Sequence, residues 1–190
     1  MAISDFHKHY YPPAYVDALR AGPSAYTVTE DAEGNPVLHS PGDYNILVPG
    51  HRNIDVRKAD LEKAGVDRHL LSFTAPGTLI ETPERSVVLS RLVNDALATV
   101  QREHGDQFPA LATLPLNDPE ASVDELERAA LLLPDASEVQ NHLGLAYQAA
   151  GRSRDAEDAF RRAVELDCAN DAATQNLGVV EASRPGDGTR

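Results

Sequence analysis

The sequence predicts an α/β segment followed by an all-α segment. Through the first two thirds of the chain, short strand-like runs alternate with amphipathic helical patterns, an order typical of βαβ units and a parallel sheet. After Pro134 the strand signals cease and only helical periods remain. Leu143-Gly144 recurs as Leu177-Gly178, and this 34-residue period is typical of a helical repeat array.

The length and composition fit one ordinary domain or two small ones. The chain has 190 residues, of which 42% are hydrophobic and 25% charged. We predict an α/β domain at 1–133, repeat helices at 134–182 and a disordered tail at 183–190. The net charge of −13 provides no basic field for a phosphate backbone or an anionic bilayer, so neither nucleic acid nor membrane is an expected partner.

The lack of a recognisable targeting signal and the single cysteine favour a cytoplasmic location. The first residues lack the basic and apolar regions of a signal peptide, and no apolar run approaches the roughly 18 residues of a membrane span. Cys168 is the single cysteine, so it forms no internal disulfide and a reducing compartment is expected.

The predicted elements begin with a strand over residues 2–9. Tyr10-Tyr11-Pro12-Pro13 ends it, because proline cannot donate to a strand ladder. A helix follows over residues 14–20, with proline just inside its start. Residues 26–44 resemble a β-hairpin around a Gly34-Asn35 turn.

A regular helix and strand order begins near residue 55. Asp55 is the predicted N-cap of a helix that runs through Ala64, and Gly65 is its left-handed stop. The apolar run at 69–73 then predicts a second strand.

The same order continues to residue 133. Thr82-Pro83 predicts the cap and first position of a helix that runs to Gly105, residues 108–114 predict a third strand, and Asp118-Pro119 caps a third helix. Beyond Pro134, two apolar stripes separated by Gly151-Arg152-Ser153 predict an αα-hairpin.

The first strand carries the residues of greatest chemical interest. In Asp5-Phe6-His7-Lys8-His9, strand alternation places His7 and His9 on the side of Ile3 and Asp5, spaced to share a metal ion. Neutral imidazole suits zinc. The alternative is a pair of surface or partly buried histidines without a ligand.

Motifs across residues 2–130 resemble the amidohydrolase superfamily, in the branch related to aminocarboxymuconate-semialdehyde decarboxylase. They are Asp5-x-His7-x-His9-x-x-x-Pro13, Ala64-Gly65-Val66-Asp67 leading into Leu71-Ser72, Arg91-Leu-Val-Asn94-Asp95, Phe108-x-Ala-Leu-Ala-Thr-Leu-Pro115 and Asp118-Pro-Glu with Glu125-Leu-Glu-Arg-Ala. The resemblance implies a TIM-type (β/α) barrel with a divalent metal, usually zinc. It also implies decarboxylation or hydrolysis of small, often aromatic, carboxylates.

The resemblance implies roles for particular residues. His7 and His9 would be the first two metal ligands. Arg57 and the group Arg91, Asn94 and Asp95 match recurrent family positions that we interpret as structural. Independently of the resemblance, His51 and Arg52 follow Pro49-Gly50 and could contact a substrate carboxylate from a loop.

The length predicts an incomplete barrel with about three parallel strands. A closed barrel needs about 250 residues, and the family takes its remaining ligands from later strands. A catalytic zinc typically has three protein ligands, so the ligand set of this chain is expected to be incomplete. A homodimer or another partner that covers the open barrel edge could supply the rest.

The segment from Ser137 to Cys168 resembles a tetratricopeptide repeat (TPR). The residues that match are Leu143, Gly144, Tyr147, Gly151, Ala156, Phe160, Ala163 and Leu166. The resemblance implies that a peptide or protein binds in a concave groove, and the alternative is that these helices only cap the rest of the chain. Residues 118–190 carry seven arginines and fifteen acidic residues, which favours a basic peptide.

Three hypotheses follow from these patterns. The first is a metal-dependent decarboxylase or hydrolase, which predicts stoichiometric zinc. The second is a non-catalytic TPR interaction module, which predicts peptide binding without a tight metal site. The third is a fragment or fusion whose two halves derive from larger parents.

Overall fold

The computed structural model describes residues 3–74, 77–132 and 137–183, apart from the side chains of Phe6, His7, Lys8, Asp106, Leu132 and Glu138. The predicted disordered tail lies outside the described residues from position 184 onward. The chain divides into two compact units, residues 1–117 and 118–190. The helix that precedes Pro134 groups with the second unit.

The first unit contains five strands and four α-helices among the described residues. In chain order they are β1 (Ser4–His9), α1 (Pro13–Ala21), β2 (Thr27–Glu30), β3 (Pro36–Ser40), β4 (Asp43–Ile46), α2 (Pro49–Arg52), α3 (Ile54–Ala64), β5 (Arg68–Ser72) and α4 (Pro83–His104). β1 and β5 form a parallel pair, and β2, β3 and β4 form an antiparallel sheet.

The predicted third parallel strand is reduced to a single bridge. Leu71 donates its N–H to Pro109 O at 2.8 Å and accepts from Leu111 N at 2.9 Å, which places Ala110 beside β5. Beyond this point the backbone bonds to α4 and not to β5. Thr113 N donates to Asn94 Oδ1 at 2.8 Å, and Thr113 O accepts from Asn94 Nδ2 at 2.9 Å. The prediction of a strand over 108–114 was therefore wrong, and Asn94 has a structural role.

The predicted hairpin forms and is extended by a third strand. β2 and β3 pair antiparallel across the turn, where Asp31 Oδ1 accepts from the N–H groups of Glu33 and Asn35. Gly34 has φ +77°, the left-handed conformation that the turn requires. β4, which the sequence did not predict, follows a second turn at Gly42 and pairs with β3.

Local capping signals set the helix ends. α1 starts at Pro13 and α4 starts after Thr82, whose hydroxyl accepts from Arg85 N. Gly65 ends α3 at φ +65°, as predicted. The N-cap of α3 is Asn53 rather than Asp55, because the Asn53 side chain accepts from the N–H groups of the first turn and leaves Asp55 inside it.

The core of the first unit lies on one face of the parallel pair. Leu71 is fully buried and shares a cluster with Leu61 of α3 and Leu89 of α4. Tyr15 of α1 belongs to the same cluster. The helices therefore cover the Leu71 face of β5, as parallel sheets require.

The second unit is built from helices in the described residues. They are α5 (Pro119–Leu132), α6 (Ser137–Ala149), α7 (Ser153–Leu166) and α8 (Asp171–Ala182). The predicted hairpin of α6 and α7 is present. Arg152 contacts three helices. Its guanidinium lies 4.3 Å from the centre of the Tyr147 ring in α6 and donates to Glu127 in α5 and Asp155 in α7. No helix in the described part of the chain is both long and apolar enough to cross a bilayer.

The close approach of α6 to α7 depends on Gly144. A Cβ built at Gly144 would lie 2.4 Å from the Phe160 ring, which is fully buried. Gly178 of α8 lies 34 positions later, and a Cβ there would meet no described heavy atom within 4 Å. The two glycines thus share a repeat position and differ in their neighbours.

We predict that Gly144→Ala destabilises the second unit. The added methyl group would overpack the Phe160 ring, at a cost of about 1–3 kcal/mol, which exceeds the ~1 kcal/mol gain in helix propensity. Urea denaturation followed by far-ultraviolet circular dichroism measures the change. Gly178→Ala is the matched control and should be neutral or stabilising; equal midpoint shifts for both variants would contradict the packing argument.

Candidate functional site

The candidate site lies where β1 and β5 end. His9 is the last residue of β1 and Ser72 is the last residue of β5, and the two are paired in the parallel register. Parallel strands bring their carboxyl ends to one edge, the location of ligand sites in α/β folds. The structure therefore places His9 where a site is expected.

A register shift between Asp5 and Lys8 alters the faces of β1. Asp5 pairs with His69 and His9 pairs with Ser72, and residues 69 and 72 face opposite sides of a strand. The side chains agree with this, since Asp5 Oδ2 lies 3.9 Å from His69 Nε2 and Ser72 Oγ lies 3.3 Å from His9 Nδ1. The prediction that Asp5 and His9 share one side was wrong, because the extra residue reverses the alternation.

The two predicted metal ligands differ in what the structure describes. His9 is half-buried, and its register partner Ser72 lies on the face of β5 opposite to Leu71. The main chain of His7 lies in β1, but its side chain lies outside the described residues. Within the described side chains, no group of three His, Cys, Asp or Glu residues could hold a metal ion.

The backbone of His9 is held from two sides. Tyr10 N donates to Ser72 O at 3.0 Å, and Arg57 Nη2 donates to His9 O at 2.5 Å. Arg57 extends from α3 and is only 4% exposed. These bonds fix the end of β1 against both β5 and α3.

Arg57 is a buried cation beside the site. Burial lowers its pKa, an effect that Tyr10, Asp5 and Asp60 oppose. Its guanidinium lies 5.9 Å from the centre of the Tyr10 ring, within cation–π range. The bond to His9 O and this ring contact show that Arg57 orients the chain at His9, in line with the structural interpretation of this position.

His51 and Arg52 lie on α2, a short helix that the sequence did not predict. His51 O accepts from Tyr11 N at 2.8 Å, which attaches α2 to the segment directly after β1. Arg52 Nε donates to Leu47 O at 3.1 Å. The structure thus brings the His51 backbone near the end of β1, and the Nε of Arg52 is bonded to the backbone of Leu47.

A group of buried tyrosines supports the loop after β5, and sequence reasoning assigned it no role. The hydroxyls of Tyr26 and Tyr15 lie 2.8 and 3.4 Å from Gly77 O. Phe73 packs edge-on against Tyr15 and Tyr11, with ring centres 4.7 and 5.4 Å apart. The only sequence signal was the unusual density of tyrosine and proline in the first third of the chain.

The arrangement at His9 fits a metal ligand in one respect. Metal-binding histidines usually donate the N–H of the second ring nitrogen to a neighbouring acceptor. The Ser72 hydroxyl lies 3.3 Å from His9 Nδ1, a position from which it can accept such an N–H. The donor chemistry of His9 is thus compatible with a divalent metal.

Comparisons with known proteins relate part of the chain to decarboxylases. No protein-family model matches the chain. Gamma-resorcylate decarboxylase from Rhizobium sp. (strain MTP-10005) is 35% identical over 92 residues, which are 46% of this chain and 28% of that enzyme. The aligned segment thus spans less than a third of that relative.

Solved structures give the same relation. IDCase from Metarhizium anisopliae, in apo form, has a TM-score of 0.61 at 18% identity, over 76% of this chain and 48% of that one. For 5-carboxyvanillate decarboxylase from Sphingomonas paucimobilis the TM-score is 0.53 at 26% identity, over 68% and 39%. Gamma-resorcylate decarboxylase and 5-carboxyvanillate decarboxylase are therefore similar to this chain over part of its length, and the fold matches a partial α/β barrel.

We predict that Arg57→Met destabilises the first unit. The loss of a bond from a charged donor costs about 1.5–3 kcal/mol, and the change also leaves His9 O without its donor from α3. Chemical denaturation measures the effect. Arg20→Met is the control, because Arg20 forms an exposed pair with Glu30 that contributes at most about 1 kcal/mol. If the two variants lost the same stability, Arg57 would not anchor β1.

We also predict that the first unit loses stability at alkaline pH. Burial raises the pKa of Tyr15 above its ordinary value and raises that of Tyr26 to about 12. The stability contributed by the neutral hydroxyls is complete below a pH of about 10 and is lost as the pH rises through the folded-state pKa values. Thermal unfolding between pH 8 and pH 12 measures this loss.

Tyr26→Phe tests the assignment of this alkaline loss. It removes the bond to Gly77 O at a cost of about 0.5–1.5 kcal/mol at neutral pH, and it should weaken the alkaline dependence. Tyr44→Phe is the matched control, because Tyr44 is 60% exposed. A parallel pH curve for Tyr26→Phe and the unaltered protein would contradict the role of Tyr26.

Proposed function

We propose that the first unit belongs to a metal-dependent decarboxylase of small aromatic carboxylates. The observation that carries this proposal is the position of His9 at the carboxyl end of β1, with Nδ1 against Ser72 Oγ. The 35% identity to gamma-resorcylate decarboxylase over 92 residues supports the same chemistry. Hydrolysis of a related carboxylate is the alternative reaction for such a site.

In the proposed site His7 and His9 hold a divalent metal, for which zinc is our choice. A bound divalent metal supplies Lewis-acid polarisation of a substrate oxygen. The chain itself orients the ligand, since Arg57 and Ser72 fix the backbone of His9 and Ser72 Oγ fixes its ring. A small carboxylate is the expected substrate.

We assign the contact with the substrate carboxylate to His51 and Arg52. Arg52 Nε is engaged by Leu47 O, so its Nη groups are the donors that remain for a bidentate carboxylate contact. His51 is attached through its backbone to Tyr11, two residues after His9. This connection supports a location beside the proposed metal.

A complete site requires ligands beyond His7 and His9. We propose that a second copy of the chain covers the edge of the parallel pair and contributes to the site. In the described residues β1 pairs with β5 alone, and an uncovered strand edge favours association with another chain.

The second candidate function is a TPR-like interaction module in the second unit. Two observations favour it: the tight approach of Gly144 to Phe160 and the exposure of Leu145 and Val179, at 41% and 52%, which are 34 positions apart. The acidic balance of residues 118–190 suits a basic peptide. Unlike the decarboxylase proposal, the interaction-module hypothesis requires no metal in the first unit.

We predict that the purified protein binds stoichiometric zinc and that His7→Ala/His9→Ala abolishes it. Elemental analysis after dialysis against trace zinc measures the metal, and loss of gamma-resorcylate with release of carbon dioxide measures activity. The control is His39→Ala/His142→Ala, which removes two exposed histidines elsewhere. Equal, negligible zinc in the unaltered protein and the site variant would overturn the decarboxylase proposal and leave the interaction module.

A further inference from the structure

Ser72 is placed by the sheet itself to act on the His9 ring. Ser72 is the register partner of His9, and its carbonyl accepts from Tyr10 N at 3.0 Å. The main chain of Ser72 is therefore part of the ladder with β1. Its hydroxyl oxygen lies 3.3 Å from His9 Nδ1.

The hydrogen bond between these atoms bears on the tautomer of the imidazole. A neutral ring carries one proton, on Nδ1 or on Nε2, and the nitrogen without the proton is the one that can bind a metal. If Nδ1–H donates to Ser72 Oγ, Nε2 keeps its lone pair. The opposite arrangement, with Ser72 donating to Nδ1, protonates Nε2 and blocks it.

The geometry of the backbone favours a fixed ring. Arg57 holds His9 O and Ser72 O holds Tyr10 N, so the Cα of His9 is constrained on both sides. With the backbone held, His9 can still rotate about its side-chain bonds, and the hydrogen bond to Ser72 Oγ restricts this rotation. A ring held in this way is pre-organised toward a ligand.

We propose that Ser72 is a positioning residue: its Oγ accepts Nδ1–H of His9 and so presents Nε2 to a divalent metal. The metal part rests on the proposed function, whereas the tautomer part concerns the metal-free protein. Ser72 acts only through His9 and touches neither metal nor substrate in this role.

The first test observes the tautomer in the metal-free full chain. Long-range ¹H–¹⁵N correlation spectra of the histidine rings, at a pH where the rings are neutral, distinguish the two protonated nitrogens. The His9 signals are those missing from His9→Ala. We expect Nδ1–H in the unaltered protein, a shift toward Nε2–H in Ser72→Ala, and recovery in Ser72→Thr, which restores the hydroxyl.

The second test measures zinc affinity by competition with a chelator. Loss of an outer-shell partner typically weakens metal binding about 10- to 100-fold, so we expect that loss in Ser72→Ala and near-normal affinity in Ser72→Thr. Ser40→Ala is the matched control, because Ser40 also ends a strand but bonds to Asp43 O. It should change neither the tautomer nor the affinity.

The outcomes separate this proposal from the proposed function. An Nε2–H tautomer in the unaltered protein, or Ser72→Ala with unchanged tautomer and zinc affinity, would overturn the role of Ser72 and leave the metal site standing. A protein that binds no zinc but shows the expected tautomer change would support the hydrogen bond and overturn the decarboxylase proposal. Unchanged thermal unfolding of the variants confirms that folding is not the cause.

Discussion

The parallel pairing of β1 with β5 is the constraint on which the first unit depends. It joins residues more than sixty positions apart, and it sets which side chains of β1 face the helices and which face away. The shift between Asp5 and Lys8 then decides the chemistry of each face. Asp5 joins the buried His69, whereas His9 joins Ser72 on the opposite face. A sheet without this shift would have brought a carboxylate to the face of His9.

The helices were predictable because their signals are local. Proline at the start of α1, glycine at the end of α3 and threonine before α4 act within one turn of the chain, and each has the predicted role. The N-cap of α3 was misassigned by two positions, because Asn53 and Asp55 are both good caps and only the backbone geometry chooses between them. Local patterns thus fix the presence of a helix more firmly than its first residue.

The strands were harder to predict because their partners are distant in sequence. Residues 108–114 have a strand-like pattern, but Asn94 and Gln101 of α4 bond to the backbone of Thr113 and Ala110. The N–H groups of Thr113 and Ala110 therefore have hydrogen-bond partners in α4 and need no partner strand. The shift in β1 has no counterpart in the apolar pattern, so the sequence predicted that His9 ends the first strand and misjudged the face of Asp5. Ser72 was visible in a motif, but only the register shows its contact with His9.

Repeat periodicity in the second unit predicts positions but not neighbours. Gly144 and Gly178 are equivalent in the 34-residue period, yet only Gly144 meets an aromatic ring. A small residue is required where two helices approach, and it is merely permitted elsewhere. The same distinction applies to polar residues. Asn141 is buried and its Oδ1 accepts from Asn176 Nδ2 at 2.9 Å, a bond between helices that the period alone does not predict.

The choice of a serine beside His9 has a chemical consequence in the proposed site. A carboxylate that accepts Nδ1–H raises the basicity of the imidazole and donates more charge to a bound metal. A hydroxyl orients the ring without adding a negative charge. The register shift directs Asp5 away from His9 and leaves the Ser72 hydroxyl beside His9 Nδ1. An imidazole held by a neutral acceptor preserves more of the metal's Lewis acidity, which is the property needed to polarise a substrate oxygen.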